Sequence, residues 1–253
     1  MLWSKSNNTL APNMPFLPPV TTGLLAVYWF GGDLDRSMRN HWHGGAYGGP
    51  AGDLDVTAGL QPPLVVTESG GSFCRFTDTS RFFQTPILDN GTLGFAVIAR
   101  FRNLGSVSIV AASQTTAAGD YGVNLWFHAT GELRFWREWS LSGTHYRTSN
   151  ALTPAVPTDW GLYWAGNNGS MAQLENATPP SPIVVPSGIT GTTVAAPRAL
   201  RIGADYASGT VGEIDIKGVL VFGDGMPLSK DRRAIDKELR INCAAENITL
   251  AAA

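Results

Sequence analysis

Cysteine and charge are what this sequence has least of. Only Cys74 and Cys243 occur in 253 residues, too few for a disulfide framework, and neither belongs to a CxxC or other metal-ligand spacing. The reading is two buried, unpaired thiols, because free cysteine behaves as a small apolar side chain. Charged residues make up 15% of the chain and the formal net charge is −2. No run of Lys or Arg forms a phosphate-binding stripe, so nucleic acid is not an expected partner. No apolar stretch approaches the roughly 20 residues that cross a bilayer as a helix, and membrane insertion is not expected. The first ten residues are polar, without a charged segment leading into an apolar one, so no secretion signal is expected. Serine-nucleophile, P-loop and dinucleotide fingerprints are also missing.

Apolar side chains and turn residues are plentiful. Apolar residues make up 43% of the chain, enough for a substantial core. The 29 glycines and 16 prolines are spread along the length, which suits many short strands joined by turns. All-β sandwiches routinely use 200 or more residues for one domain, and one domain is the expectation here. Residues 1–22 differ from the rest. Pro12, Pro15, Pro18 and Pro19 favour an extended backbone, while Leu2, Trp3, Met14, Phe16 and Leu17 would avoid solvent. This segment reads as an arm that docks on a neighbouring subunit or assembly, the alternative being a loose terminus. Residues 23–241 read as the sandwich and 242–253 as a C-terminal tail.

Strands are expected at Leu24 to Phe30, Pro63 to Thr67, Ser72 to Phe76, Thr92 to Arg102 and Ser106 to Ala112. Phe95, Val97, Ala99 and Phe101 fall on one face of the fourth of these. Tyr121 to His128 and Leu133 to Trp139 read as a hairpin turning at Thr130-Gly131. Further strands are expected at His145 to Thr148, Asp159 to Ala165, Ser170 to Leu174, Ala199 to Gly203 and Val211 to Phe222. Thr178 to Ala196 reads as connecting loop with a short strand at best, and Gly31 to Gly52 as surface loop. Ser229 is placed to cap a short helix running to about Arg240, with Ile235 and Leu239 on its packing face. The fold class is therefore all-β, a two-sheet antiparallel jelly-roll sandwich with one short C-terminal helix.

Three stretches carry a likeness: Gly23-Leu24-Leu25-Ala26-Val27-Tyr28-Trp29-Phe30 before Gly31-Gly32; Phe95 to Phe101; and the close, where Ile202-Gly203 leads to Gly212-Glu213-Ile214-Asp215-Ile216 and Leu228-Ser229. Through them residues 23 to 241 resemble the laminin-G-like, concanavalin-A-like jelly-roll domains of tail-fibre and other virion proteins of tailed bacteriophages. The resemblance implies a non-catalytic structural or adhesion protein, made in the host cytoplasm and carried on the virion. Its expected partners are other virion proteins, host-surface polysaccharide and further copies of itself, a trimer being the natural form for a fibre. The runner-up reading is a carbohydrate-active hydrolase of the same fold with a site near Glu213 and Asp215, and a head or neck decoration protein is a third.

Candidate chemistry is sparse. Retaining β-glucanases of this sandwich class use a strand motif E-x-D-x-E, and Glu213, Asp215 and position 217 would project together from a strand. Retaining hydrolysis needs two carboxyls about 5 Å apart. Position 217 is Lys217, so the acid/base is missing and no catalytic residue is assigned. His41, His43, Asp33 and Asp35 could ligate a metal, and Asp205 a calcium ion, but neither spacing marks a site; no metal or cofactor is assigned. The clearest binding candidates are Asn124, Trp126, Arg134, Trp136 and Glu138, which share the outward face of the hairpin if the two strands align across the turn. Sugar rings stack on indoles while amides and charges bond their hydroxyls. The competing reading is that these tryptophans fill a second core layer or a subunit interface.

Overall fold

The computed structural model describes residues 18–56, 60–113, 122–167, 170–177, 183–196, 198–206 and 212–251. Most of the expected arm (1–17), together with Tyr121, Val211 and residues 178–182, lies outside the described residues. In chain order the elements are β1 (Leu24–Trp29), α1 (Leu34–Met38), β2 (Leu64–Glu68), β3 (Gly71–Phe76), β4 (Phe83–Leu88) and β5 (Gly94–Phe101). There follow β6 (Ser108–Ala112), β7 (Val123–Phe127), β8 (Leu133–Leu141), β9 (Thr144–Leu152), β10 (Gly161–Asn167) and β11 (Met171–Asn176). The chain closes with β12 (Ile183–Gly188), β13 (Thr192–Thr193), β14 (Ala199–Ile202), β15 (Ile214–Phe222) and α2 (Ser229–Ala245).

Two antiparallel sheets face each other, the architecture expected from the alternating pattern. One has eight strands in the order β12-β11-β10-β5-β15-β3-β2, with β1 also paired to β15. The other has seven, in the order β13-β8-β7-β6-β14-β4, with β9 also paired to β8. Phe95, Val97, Ala99 and Phe101 point into the space between the sheets, where they meet Phe83, Val110, Leu125, Phe127 and Phe135 of the other sheet. Phe101 stacks on Phe127 with centroids 5.4 Å apart.

The outer face of the eight-stranded sheet is also apolar, because α2 lies over it. Ile235, Leu239 and Cys243, spaced by four, pack on Val27, Trp29, Ile98, Leu162, Trp164 and Leu220. Trp164 Nε1 donates to Asp236 Oδ1 at 2.7 Å, and Arg232 pairs with Glu175 at 2.6 Å. Both cysteines are buried and unpaired, Cys74 in the inter-sheet core and Cys243 under the helix, with the sheet between them.

Several elements depart from expectation. β4 and β12 each contain a proline, Pro86 and Pro186, which masked them as strands. Each sits at the edge of its sheet, where a missing N–H costs no ladder bond. Gly31 to Gly52 is not all loop: Asp33 caps α1 by accepting from Arg36 N–H at 2.7 Å. Ser229 is not the cap of α2 but its first residue, Leu228 standing at the cap without a side-chain bond. The helix also continues past Arg240 to Ala245, and Ile248 and Leu250 join its buried cluster, so the segment read as a tail from 242 is packed on the sheet.

Candidate binding face

The hairpin formed by β7 and β8 aligns Asn124 with Trp136 and Trp126 with Arg134. β8 and β9 then place Ser149 opposite Trp136 and Arg147 opposite Glu138. All five expected residues therefore share the outer face of the seven-stranded sheet, since Leu125, Phe127, Leu133 and Phe135 occupy the inner one. Their accessibility differs. Trp126 is only 5% exposed and packs with Ile109, Ala112, Val107 and Trp136 in a small outer cluster. Asn124 and Glu138 are buried as well. Trp126 is thus the floor of the face, which corrects its reading as an open stacking platform.

Trp136 is the half-buried ring above that floor, edge-on to Trp126 at 4.3 Å between centroids. Its Nε1 donates to Ser149 Oγ at 2.9 Å, which fixes the indole's orientation. The Arg147 guanidinium sits 4.3 Å from the Trp136 centroid while pairing with Glu138, and such a cation over an indole face is held by the ring quadrupole. On the other side Arg134 pairs with Glu132 at 2.7 Å. Ser149 was missed because the strand was followed only to Thr148, whereas β9 continues to Leu152; Arg147 lay within the expected strand, but its pairing with β8 was not read. The face therefore offers one partly open indole, the guanidiniums of Arg134 and Arg147 and the Ser149 hydroxyl, a combination suited to a polar ring with an apolar side. Among the described residues no helix lies over it, unlike the outer face of the other sheet.

No family model and no curated protein sequence matches this chain. Solved structures do match. A mutant of HCR/D superposes with TM-score 0.55 at 7% identity, over 86% of this chain and 51% of that one. Trypanosoma rangeli sialidase in complex with sialic acid gives 0.54 at 10% identity, over 88% and 34%. The binding domain of Paraclostridial Mosquitocidal Protein 1 gives 0.53 at 10% identity, over 85% and 52%. These likenesses show the β-sandwich fold alone. The chain spans about half or a third of the length of these neighbours.

The strand motif considered for hydrolysis is engaged elsewhere. Asp215 is fully buried, accepting from Arg75 Nε at 2.7 Å and Arg100 Nε at 2.8 Å. Glu68 bridges the same two arginines, and the Arg75 bond holds its carboxyl down at about 2. Lys217 does not simply alternate with Asp215. It is the extra residue of a β-bulge, because Ile216 pairs with Ala99 and Gly218 with Ile98. Its ammonium, fully buried, donates to Phe30 O, Ser72 O and Glu246. Glu213 is half-buried beside them. Two of the three motif residues are thus saturated by partners and closed to solvent.

The metal candidates are also dispersed. Asp33 is occupied as a helix cap, and burial pushes the His41 imidazole down to about 4. Asp205 accepts from the Arg201 guanidinium through its carbonyl at 3.0 Å. Among the described residues no three His, Cys, Asp or Glu side chains converge as a metal site.

Proposed function

We propose that this domain is a non-catalytic carbohydrate-binding module that holds surface glycan on the outer face of its seven-stranded sheet. The sequence resemblance alone extends this to an adhesion or structural component of a tailed-phage particle. The observation that carries the reading is Trp136: a pre-oriented, partly open indole ringed by Arg134, Arg147 and Ser149 on a sheet face that no helix covers among the described residues. An indole contributes its flat apolar surface to a sugar ring, while the guanidiniums donate to hydroxyl or carboxylate oxygens.

Bacterial surface polysaccharides screened by calorimetry are expected to include one that binds saturably without release of reducing ends. Trp136→Ala should weaken that binding at least tenfold, about 1.4 kcal/mol, while Trp136→Phe retains part of it. Unchanged affinity in Trp136→Ala, with the fold intact by circular dichroism, would sink the proposal. Reducing-end release that disappears in Glu213→Gln would replace it with a hydrolase.

A further inference from the structure

An open cavity lies far along the chain from Trp136, in the β1–β2 connection. It offers about 360 Å³, open to solvent, between Arg39, Asn40, His43, Gly49, Pro50 and Asp53, at the lower end of the size range of small-ligand pockets, roughly 300 to 1,000 Å³. Arg39 and Asp53 carry opposite charges on its lining, yet no ion pair joins them, and neither pairs with any other described side chain of opposite charge. Arg39 is exposed and Asp53 half-buried, so both charges are open to a ligand entering this space.

Asn40, almost fully buried, fixes Asp53 and the loop around it. Its N–H donates to Asp53 Oδ1 at 2.7 Å and its Oδ1 accepts from Val27 N–H at 2.9 Å and Trp42 N–H at 3.0 Å. Its Nδ2 donates to the Tyr47 carbonyl. One of these bonds ties the connection to β1 and the other three gather Trp42, Tyr47 and Asp53 around Asn40; among the described residues the second carboxylate oxygen of Asp53 has no hydrogen bond. Gly49 N–H donates to Trp42 O at 2.8 Å and draws the loop shut. Gly49 has φ +59°, and a Cβ there would stand 3.3 Å from His43 Nδ1; the space is kept by the lack of a side chain.

We infer that this cavity is a separate binding site for an acidic monosaccharide, a ring bearing a carboxylate and neighbouring hydroxyls. Arg39 supplies the fork of donors that a carboxylate takes in two parallel bonds. The free oxygen of Asp53 accepts from ring hydroxyls, and His43 flanks the opening. A ligand with both groups satisfies the two charges that the protein leaves apart. A carboxylate without hydroxyls, or a neutral sugar, satisfies one.

The test is a titration of the isotope-labelled full chain with D-glucuronate, D-glucose and acetate at constant ionic strength, following the histidine ring resonances by NMR. The histidines separate the sites, because His145 lies on β9 and His128 in the β7–β8 turn, while His43 lines the cavity and His41 stands two residues before it. Glucuronate is expected to move His43 saturably, with glucose and acetate each at least tenfold weaker. Arg39→Gln should bring glucuronate down to the level of glucose; Asp53→Asn, which keeps the acceptor for Asn40 N–H, should weaken both sugars severalfold. The inference is overturned by shifts that stay linear in concentration, by equal binding of acetate and glucuronate, or by an unchanged response in Arg39→Gln. Shifts confined to His128 and His145 would also overturn it while leaving the proposal for Trp136 standing.

Discussion

Asp89→Ala is expected to destabilise the fold by about 3–5 kcal/mol, the range for stranding one half of a buried ion pair. Asp89 and Arg137 are both closed to solvent, and Arg137 Nη1 lies 2.9 Å from each carboxylate oxygen. The same carboxylate accepts from Ser113 Oγ at 2.7 Å and Gly91 N–H at 2.9 Å, while Arg137 Nη2 donates to Val194 O at 2.9 Å. One pair therefore ties the β4–β5 turn to the end of β6, to β8 and to the segment after β13. Without Asp89 the guanidinium stays buried with a single carbonyl. At roughly 2–4 °C per kcal/mol for a chain of this size, the melting temperature should fall by about 10 °C. Asp89→Asn combined with Arg137→Met removes the charge along with its partner and should recover more than half of the loss. Urea unfolding of the single and double variants decides it; a single-variant loss below about 1 kcal/mol would show that the site hydrates on losing its partner.

The second large effect is expected at Glu246. Lys217 occupies the gap in the eight-stranded sheet where β3 stops pairing with β15 and β1 begins, and its ammonium donates to one carbonyl from each side, Phe30 O at 2.7 Å and Ser72 O at 2.8 Å. Its charge is met by Glu246, which also accepts from Trp29 Nε1 at 2.9 Å and lies 3.5 Å from Arg36. Glu246→Ala leaves the ammonium without a counter-charge and should cost about 3 kcal/mol. The cost carries a pH signature. Burial already lowers the Lys217 pKa, with Glu246 opposing the shift, so removal of Glu246 lowers it further. Between the variant's folded-state value and the less depressed one of wild type, the variant's folded state binds fewer protons while Lys217 titrates alike in both unfolded chains, so stability relative to wild type rises with pH. The deficit of Glu246→Ala is thus largest near neutrality and shrinks as pH approaches the lysine range. A deficit independent of pH between 7 and 10 would assign the effect to the lost Trp29 bond instead.

Both sites depend on residues far apart in sequence, which explains how they escaped a reading of local pattern. Alternation at Phe95 to Phe101 and along β7 and β8 was legible because a strand with one core face must place every second residue there. The tight turn at Thr130-Gly131 was legible from its glycine, which has φ +85°. Pro86 and Pro186 concealed β4 and β12, since their tolerance depends on edge position, and edge position is a property of the assembled sheet. The five hairpin residues were named from spacing, but burial separates Trp126 from Trp136, and burial is set by what lies beside β7.

By itself the sequence determined the all-β class, the paired sheets and the late helix, because each follows from the period of apolar residues over a few neighbours; the set around Trp136 waited on the register between β7 and β8. Only the tertiary structure decided what the charged residues do. It turned Asp215 and Lys217 from a catalytic-looking motif into a buried network and a bulge, and it joined Asp89 to Arg137 across 48 positions. The physical reason is range: side-chain alternation is imposed by the local backbone, whereas the worth of a charge depends on which distant partners and how much water surround it.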